Sequence, residues 1–528
     1  MSSGTSESVN WSQLPDTAVI NILFHLSPGD RARASATCQR WRACHYHPSF
    51  WRQVRVELSA GRGCEPARCL FEKCGRFVQR LTVAVAQPDH RGMDCGQNSA
   101  RAADRGGACL SSSESSDRGG QAAPGDLPKC RAFYRDLPGV FAGLCSSSQC
   151  LESFTLDFFP QCHNCKCPLS PDDEFDIKMT EVLRKVVQSS GKLKTLALGH
   201  CISNSSQPAF LKELAEKFAR QLQTLHLPAF RVDGDEVDGD ASGIGAGEVM
   251  TSSLKSFCCL SALTIHASLA SDHFLESLAS VGGPVTLRRL TVVVGYGEPG
   301  RPPADDARWS KLALQAPDLR LTVAAVVTHR DSSDELLRFL TPSLPLAALR
   351  VFVRRSGVLP SRLLETVAGR YCHGLGSLEL HSERAALLFG SEVEEADPFV
   401  ILCWKCKKLS RIVITGYKLL ACNLLAVALL RGPSLTTLEV EKDLIYHYDE
   451  EQPTTEEDED GEYDEDDGEE TPTSCDSPGS EAGHLRAGYR LEDKVREISK
   501  SLKRPWAPVE RRHMTLAKFL SHDLSLEA

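Results

Sequence analysis

Thiolates and imidazoles two or three residues apart are what a chain needs to grip a transition metal, and the densest such run is Cys162-His163-Asn164-Cys165-Lys166-Cys167. Cys162 and Cys165, with Cys167 beside them, form one half of a zinc knuckle, and Cys145 or Cys150 could supply the rest. A second clean pair is missing. Cys69 and Cys74, or Cys403 and Cys406, would serve only if the fold brought them near. The expectation is therefore no metal and no cofactor, with Cys162, Cys165 and Cys167 kept as weak candidates. Gly295-Tyr296-Gly297-Glu298-Pro299-Gly300 has the glycine spacing of a dinucleotide loop, yet Pro299, Pro302 and Pro303 interrupt the helix whose N-terminus would receive the phosphates, so a turn is the better reading. No Ser/His/Asp order, His-Glu-x-x-His, phosphate-binding loop or RING-type cysteine and histidine series has the spacing its chemistry needs. The expectation is a chain without catalysis of its own. Thr471-Pro472 and Ser477-Pro478 are candidate phosphorylation sites at Thr471 and Ser477.

These residues sit in a chain of 528 residues with 41% hydrophobic and 25% charged positions, ordinary values for a folded protein. The formal charge of -10 is local: Asp449–Glu470 carries 15 acids and no Lys or Arg, and without them the remainder stands at +5. A mildly basic remainder with no arginine-rich stripe argues against nucleic acid as a partner. Met1–Asn10 is small and polar, with no positive start and no apolar run, and no stretch approaches a membrane span. The expectation is no membrane partner, a cytoplasmic and/or nuclear location, and cysteines that act as small buried hydrophobes in a reducing compartment.

Along the chain, an internal repeat is the main architectural signal. Leu-x-x-Leu-x-Leu or a close variant recurs at Val78/Leu81/Val83, Leu151/Phe154/Leu156, Leu193/Leu196/Leu198, Leu222/Leu225/Leu227 and Leu260/Leu263/Ile265. It continues at Leu287/Leu290/Val292, Leu346/Leu349/Val351, Leu375/Leu378/Leu380, Leu409/Ile412/Ile414 and Leu435/Leu438/Val440, with a weaker copy at Leu319/Leu321/Val323. A strand alternates its faces, so the last two apolar positions of each copy point to one side. Helical candidates between copies (Met179–Val187, Phe210–Phe218, Asp334–Leu340, Leu420–Leu430) would cover that side, each unit needing its neighbours to complete a core. A curved stack of strand–helix repeats follows; an ordinary α/β sheet stays open as the alternative, because the asparagine ladder of regular leucine-rich repeats is missing.

At the N-terminal end, Leu14-Pro15-Asp16 opens a helix that the pattern carries to Leu26, with Val19, Ile22, Leu23 and Leu26 on one face and Ile20 and Phe24 widening it. A module of some forty residues cannot cover so wide a face alone. Ser27-Pro28-Gly29-Asp30 starts a second helix, on which Ala32, Ser35, Cys38, Trp41 and Arg42 would lie, and Phe50-Trp51-Arg52 reads as a short third.

Leu14-Pro15, Ile22, Leu26, Ser27-Pro28, Asp30, Cys38, Arg40-Trp41-Arg42, Pro48 and Phe50-Trp51 resemble, in order and spacing, the pattern of the F-box family. Thr17, at a place often acidic, and Arg31-Ala32-Arg33, in place of a more apolar stretch, depart from it. Asp397-Pro398-Phe399-Val400, Leu402-Cys403-Trp404-Lys405-Cys406, Ile414-Thr415-Gly416-Tyr417, Asn423-Leu424, Leu430-Arg431-Gly432 and Pro505-Trp506 also resemble segments of one member of that family. The resemblance implies a non-catalytic substrate receptor. It would join a Skp-type adaptor, and through it a cullin/RING scaffold, by Leu14, Pro15, Ile22, Leu26, Trp41 and Trp51, and would hold one or more protein substrates on the repeats. A leucine-rich scaffold that binds partners without ubiquitin transfer is the alternative.

The expected organisation is an α/β chain: a flexible 1–9, an F-box at 10–56, a first repeat or linker at 57–86, a disordered insertion at 87–128, a leucine-rich-repeat-like domain at 129–448, an acidic disordered segment at 449–488, and a C-terminal helix and tail at 489–528.

Overall fold

The computed structural model describes residues 11, 14–59, 64–86, 126–145, 149–158, 173–232, 245–279, 287–296, 304–354, 357–359, 362–387, 397–446, 480–510 and 514–525. They divide into two units, the first made of 1–321 and 515–528 and the second of 322–514.

The first unit opens with three short helices, α1 (Asp16–Phe24), α2 (Pro28–Ser35) and α3 (Gln39–His45), and passes into β1 (Gln53–Ser59), α4 (Glu65–Cys74) and β2 (Arg80–Ala86). It continues through α5 (Asp126–Cys145), β3 (Ser153–Asp157), α6 (Asp173–Ser189), β4 (Thr195–Leu198), α7 (Gln207–Phe218) and β5 (Thr224–Leu227). The last repeats are α8 (Ala246–Lys255), β6 (Ala262–His266), α9 (Asp272–Ala279), β7 (Arg289–Val294) and α10 (Asp306–Gln315). The strands are parallel and stand in sequence order from β1 to β7. A doubly wound sheet would reverse its order at a switch point; an unbroken order is that of a stack in which every crossover steps to the next strand. The register aligns the repeat: Val54, Leu81, Phe154, Leu196, Leu225, Leu263 and Leu290 stand opposite one another in one buried row.

In the second unit β8 (Arg320–Val327), which spans the division, stands beside β9 (Leu346–Val353), followed by β10 (Ser377–Leu387), β11 (Arg411–Leu420) and β12 (Thr437–Val440), with β13 (Ile445–Tyr446) pairing the end of β11. Leu349, Leu378, Ile412 and Leu438 form the equivalent row. The helices are α11 (Arg330–Phe339), α12 (Arg362–Arg370), α13 (Pro398–Lys405), α14 (Ala421–Arg431) and α15 (Ser480–Leu502), the last four packed side by side. The final helix, α16 (Leu516–Ser525), belongs again to the first unit.

Backbone amides do the work that an asparagine ladder does elsewhere. At most repeats a carbonyl just before the strand accepts two consecutive N–H groups of the next repeat: Arg52 from Gln79 and Arg80, Gln79 from Glu152 and Ser153, Glu152 from Lys194 and Thr195, and Ser410 from Thr436 and Thr437. Buried backbone groups must be paired, and here the pairing itself links repeat to repeat. The chain is thus α/β, a helical N-terminal module followed by a solenoid-like region of parallel strands. Repeat pairing begins at Gln53 with β1, ahead of the first copy of the leucine pattern, and 516–525 is helix. The expected disorder does not hold at the C-terminal end of either stretch, because 126–128 belong to α5 and 480–488 to α15.

Candidate docking surface

Pro15 stands before the first turn of α1 with φ -57° and ψ 146°, and its carbonyl accepts the N–H groups of Ala18 and Val19 at 2.9 and 3.1 Å. Proline suits this place because its missing N–H would have no helical partner. Val19 and Leu23 are fully buried and pack with Cys44 and Phe50, and half-buried Leu14, Ile20, Leu26, Ala34, Trp41 and Trp51 close around them. α1 stops at Phe24, earlier than the apolar stripe suggests. Arg31 explains how it stops: its guanidinium donates to the carbonyls of Leu23 (3.1 Å) and Leu26 (3.3 Å) and lies 4.4 Å from the centroid of the Phe50 ring. The basic residue that departs from the family pattern thus satisfies carbonyls left over at a helix C-terminus.

Ser27 caps α2, its Oγ accepting the N–H of Asp30 at 3.2 Å, and the Ser27 hydroxyl together with Arg33 holds the Asp30 carboxyl below its usual range. The single helix expected through Arg42 is divided. Thr37 bonds back to the Ala34 carbonyl, and Cys38 is extended (φ -153°, ψ 166°) with its Sγ accepting the Trp41 N–H at 3.5 Å, so a cap stands where one continuous helix was expected. The expected third helix at 50–52 is a 3₁₀ turn at Pro48–Phe50 running into β1.

Of the six predicted contact residues, Pro15 is exposed, and Leu14, Ile22, Leu26, Trp41 and Trp51 are half-buried. Trp41 donates from Nε1 to the Trp11 carbonyl at 3.5 Å. Trp51 donates to the His45 carbonyl at 2.8 Å and stands edge-on to the His45 ring at 5.1 Å. It also fills the leading place of the first repeat, three residues before Val54, where Val78 precedes Leu81. Trp51 thus joins the helices to the sheet. Trp11, 61% exposed, is an apolar group that the helix pattern does not reach, because it precedes the first turn; Phe24, on the widened face, is 52% exposed and 4.8 Å from Phe50. With an Asp16–Arg40 ion pair of 2.8 Å at its edge, the module presents apolar surface. It can bury that surface against another protein.

Residues 11–57 match the F-box-like family. The chain carries an F-box-like domain at its N-terminus. The chain is 25% identical to human F-box only protein 33 over 448 residues, covering 82% of this chain and 77% of that protein, and 24% identical to the mouse protein over 455 residues, covering 82% and 76%. Cattle F-box/LRR-repeat protein 21 is 39% identical over 51 residues, 10% of this chain and 12% of that protein. Among solved structures, an internalin from Listeria monocytogenes aligns at 12% identity over 61% of this chain and 89% of that chain, with a TM-score of 0.22.

The C-terminal segments that resemble the family turn out to hold repeats together. Asp397 caps α13 through the Phe399 N–H (2.7 Å) and accepts from Asn423 on α14, and the Trp506 indole donates to the Leu438 carbonyl of β12 at 2.8 Å. Cys403 and Cys406 are buried, and burial pushes the Cys406 thiol up to about 11. No group of three or more His, Cys, Asp or Glu suited to a metal occurs among the described residues. Cys162, Cys165, Cys167, Thr471 and Ser477 lie outside them. No described helix is long and apolar enough to cross a membrane.

Proposed function

We propose that the chain is the substrate-recognition subunit of an SCF-type ubiquitin ligase. The F-box-like domain docks on a Skp-type adaptor, and the solenoid-like region holds a target protein for ubiquitination and proteasomal degradation. The observation that carries this reading is the N-terminal module itself: it matches the F-box-like family at residues 11–57 and leaves Trp11 and Phe24 exposed beside Leu14, Pro15, Ile22 and Leu26. The role requires proximity alone, since a target held near a charged ubiquitin-conjugating enzyme reacts at a raised effective concentration.

Co-purification of the full chain with the adaptor and cullin tests the reading. Wild type should retain both, and Leu14→Ala/Pro15→Ala should lose both while amide protection of the repeat strands stays as in wild type. If wild type retains neither, or the double variant binds as well as wild type, the reading fails and the chain is a repeat scaffold without ubiquitin transfer.

A further inference from the structure

The connections from helix to strand in the second unit all fall on one edge, because its strands are parallel and consecutive. Residues 338–346, 369–377, 405–411, 430–437 and 500–506 contain no Asp or Glu, while Arg370, Lys405, Lys407, Lys408, Lys503 and Arg504 all lie in them. The connections leaving the strands on the other edge are mixed, with Asp397, Glu441 and Asp443 beside Arg354 and Lys442. The edge where the helices end is therefore basic, with no acid of its own in these connections.

Part of that charge has a structural use. A base in the last turn complements the helix dipole, as Lys405 does on α13, and Arg370 and Arg431 each donate to a carbonyl of the preceding repeat, at Leu340 and Cys406. Lys407 and Lys408 lie beyond the helix, are exposed, and make no ion pair among the described residues. Beside them is an apolar strip: Trp404 is 62% exposed in the last turn of α13, and Leu429, 67% exposed, and Leu430 stand in the last turns of the neighbouring α14. Trp404 and Leu430 hold equivalent places in successive repeats, five residues before the leading Leu409 and Leu435.

We infer that this edge binds an acidic segment of a partner protein, its carboxylates on Lys405, Lys407 and Lys408 and an apolar side chain on Trp404 and Leu430. Charge complementarity selects the partner, and the narrowness of the row, one connection wide per repeat, suits an extended chain. The inference is independent of the adaptor-docking reading, because the F-box-like domain lies in the other unit.

Fluorescence anisotropy on the full chain tests it, with a labelled peptide of Asp and Glu interrupted by leucines and a counterpart in which Asn and Gln replace the acids. The acidic peptide should bind at least about tenfold more tightly than the amide peptide, and the preference should shrink with salt. Lys405→Glu/Lys407→Glu/Lys408→Glu should weaken it by about tenfold or more and Trp404→Ser by about threefold or more. Adaptor co-purification should be unchanged in both, and Lys405→Ser/Lys407→Ser/Lys408→Ser should reproduce the loss without reversing charge. Equal binding of the two peptides, full binding by the triple variants, or selective binding of phosphatidylserine vesicles or single-stranded RNA in place of the peptide would overturn the inference.

Discussion

Arg31 is the residue on which the helical module turns. Its guanidinium reaches the Leu23 and Leu26 carbonyls and covers Phe50, and it faces His45, whose pKa is lowered by burial first and by this positive charge second. Losing two charge-assisted bonds at a helix C-terminus costs about 1–3 kcal/mol. Arg31→Ala should therefore lower the stability of α1 by that order, seen as faster amide exchange in 16–24, and should raise the His45 pKa in an NMR titration. The sign of the pH effect follows from the direction of that shift. The unfolded chain binds a proton at His45 before the folded one does, so stability falls as pH drops below the unfolded value of about 6.5. The loss should be smaller in Arg31→Ala. An unchanged His45 titration would show that the guanidinium does not act on the ring.

At the scale of elements, one glycine pins a strand. Gly416 in β11 has φ +73° and donates its N–H to Glu441 at 3.0 Å, and a Cβ there would come within 2.0 Å of the Ser382 carbonyl, where β10 departs from regular register. Strain in the left-handed region and overlap with backbone together put the cost of Gly416→Ala at about 2–4 kcal/mol. Gly416→Asn should be no better, since asparagine relieves the first term and not the second. Urea unfolding with exchange read on β10–β12 checks both, and a near-neutral alanine would show that the strand yields. The eleven leucine-pattern copies were legible as strands because period-two burial and repeat spacing acted together. β1 was not, although Trp51/Val54/Val56 keeps the same frame, because its leading position is an aromatic residue that the F-box pattern also claims. The α2–α3 break was hidden for a similar reason: Cys38 is a weak capping residue, and nothing in an apolar stripe reveals an extended backbone at its centre. The exposure of Trp11 was likewise illegible, since a residue before the first helical turn has no periodic face.

For the whole molecule, the consequential feature is that the chain, having built the second unit, ends on the first. Leu516, Phe519 and Leu520 of α16 are buried there, and Ser521 hydrogen-bonds the carboxyl of Asp157 at the end of β3. Burial raises Asp157 to about 6, against smaller opposing effects of Arg55 and Ser521. Folding therefore takes up a proton that the unfolded chain does not bind until the pH nears 4, so this group adds stability as pH falls through 6, on the order of 1 kcal/mol by pH 5. A chain ending at Met514 would return Asp157 to water and lose that increment together with the apolar burial. Its first unit should be less stable than wild type at pH 7.5, and the deficit, read by amide exchange on β1–β3, should widen at pH 5. Strands β9–β12 of the second unit serve as the internal reference. Equal deficits at the two pH values would show that Asp157 is held by other groups, and no deficit at either would show that α16 rests on the first unit without supporting it.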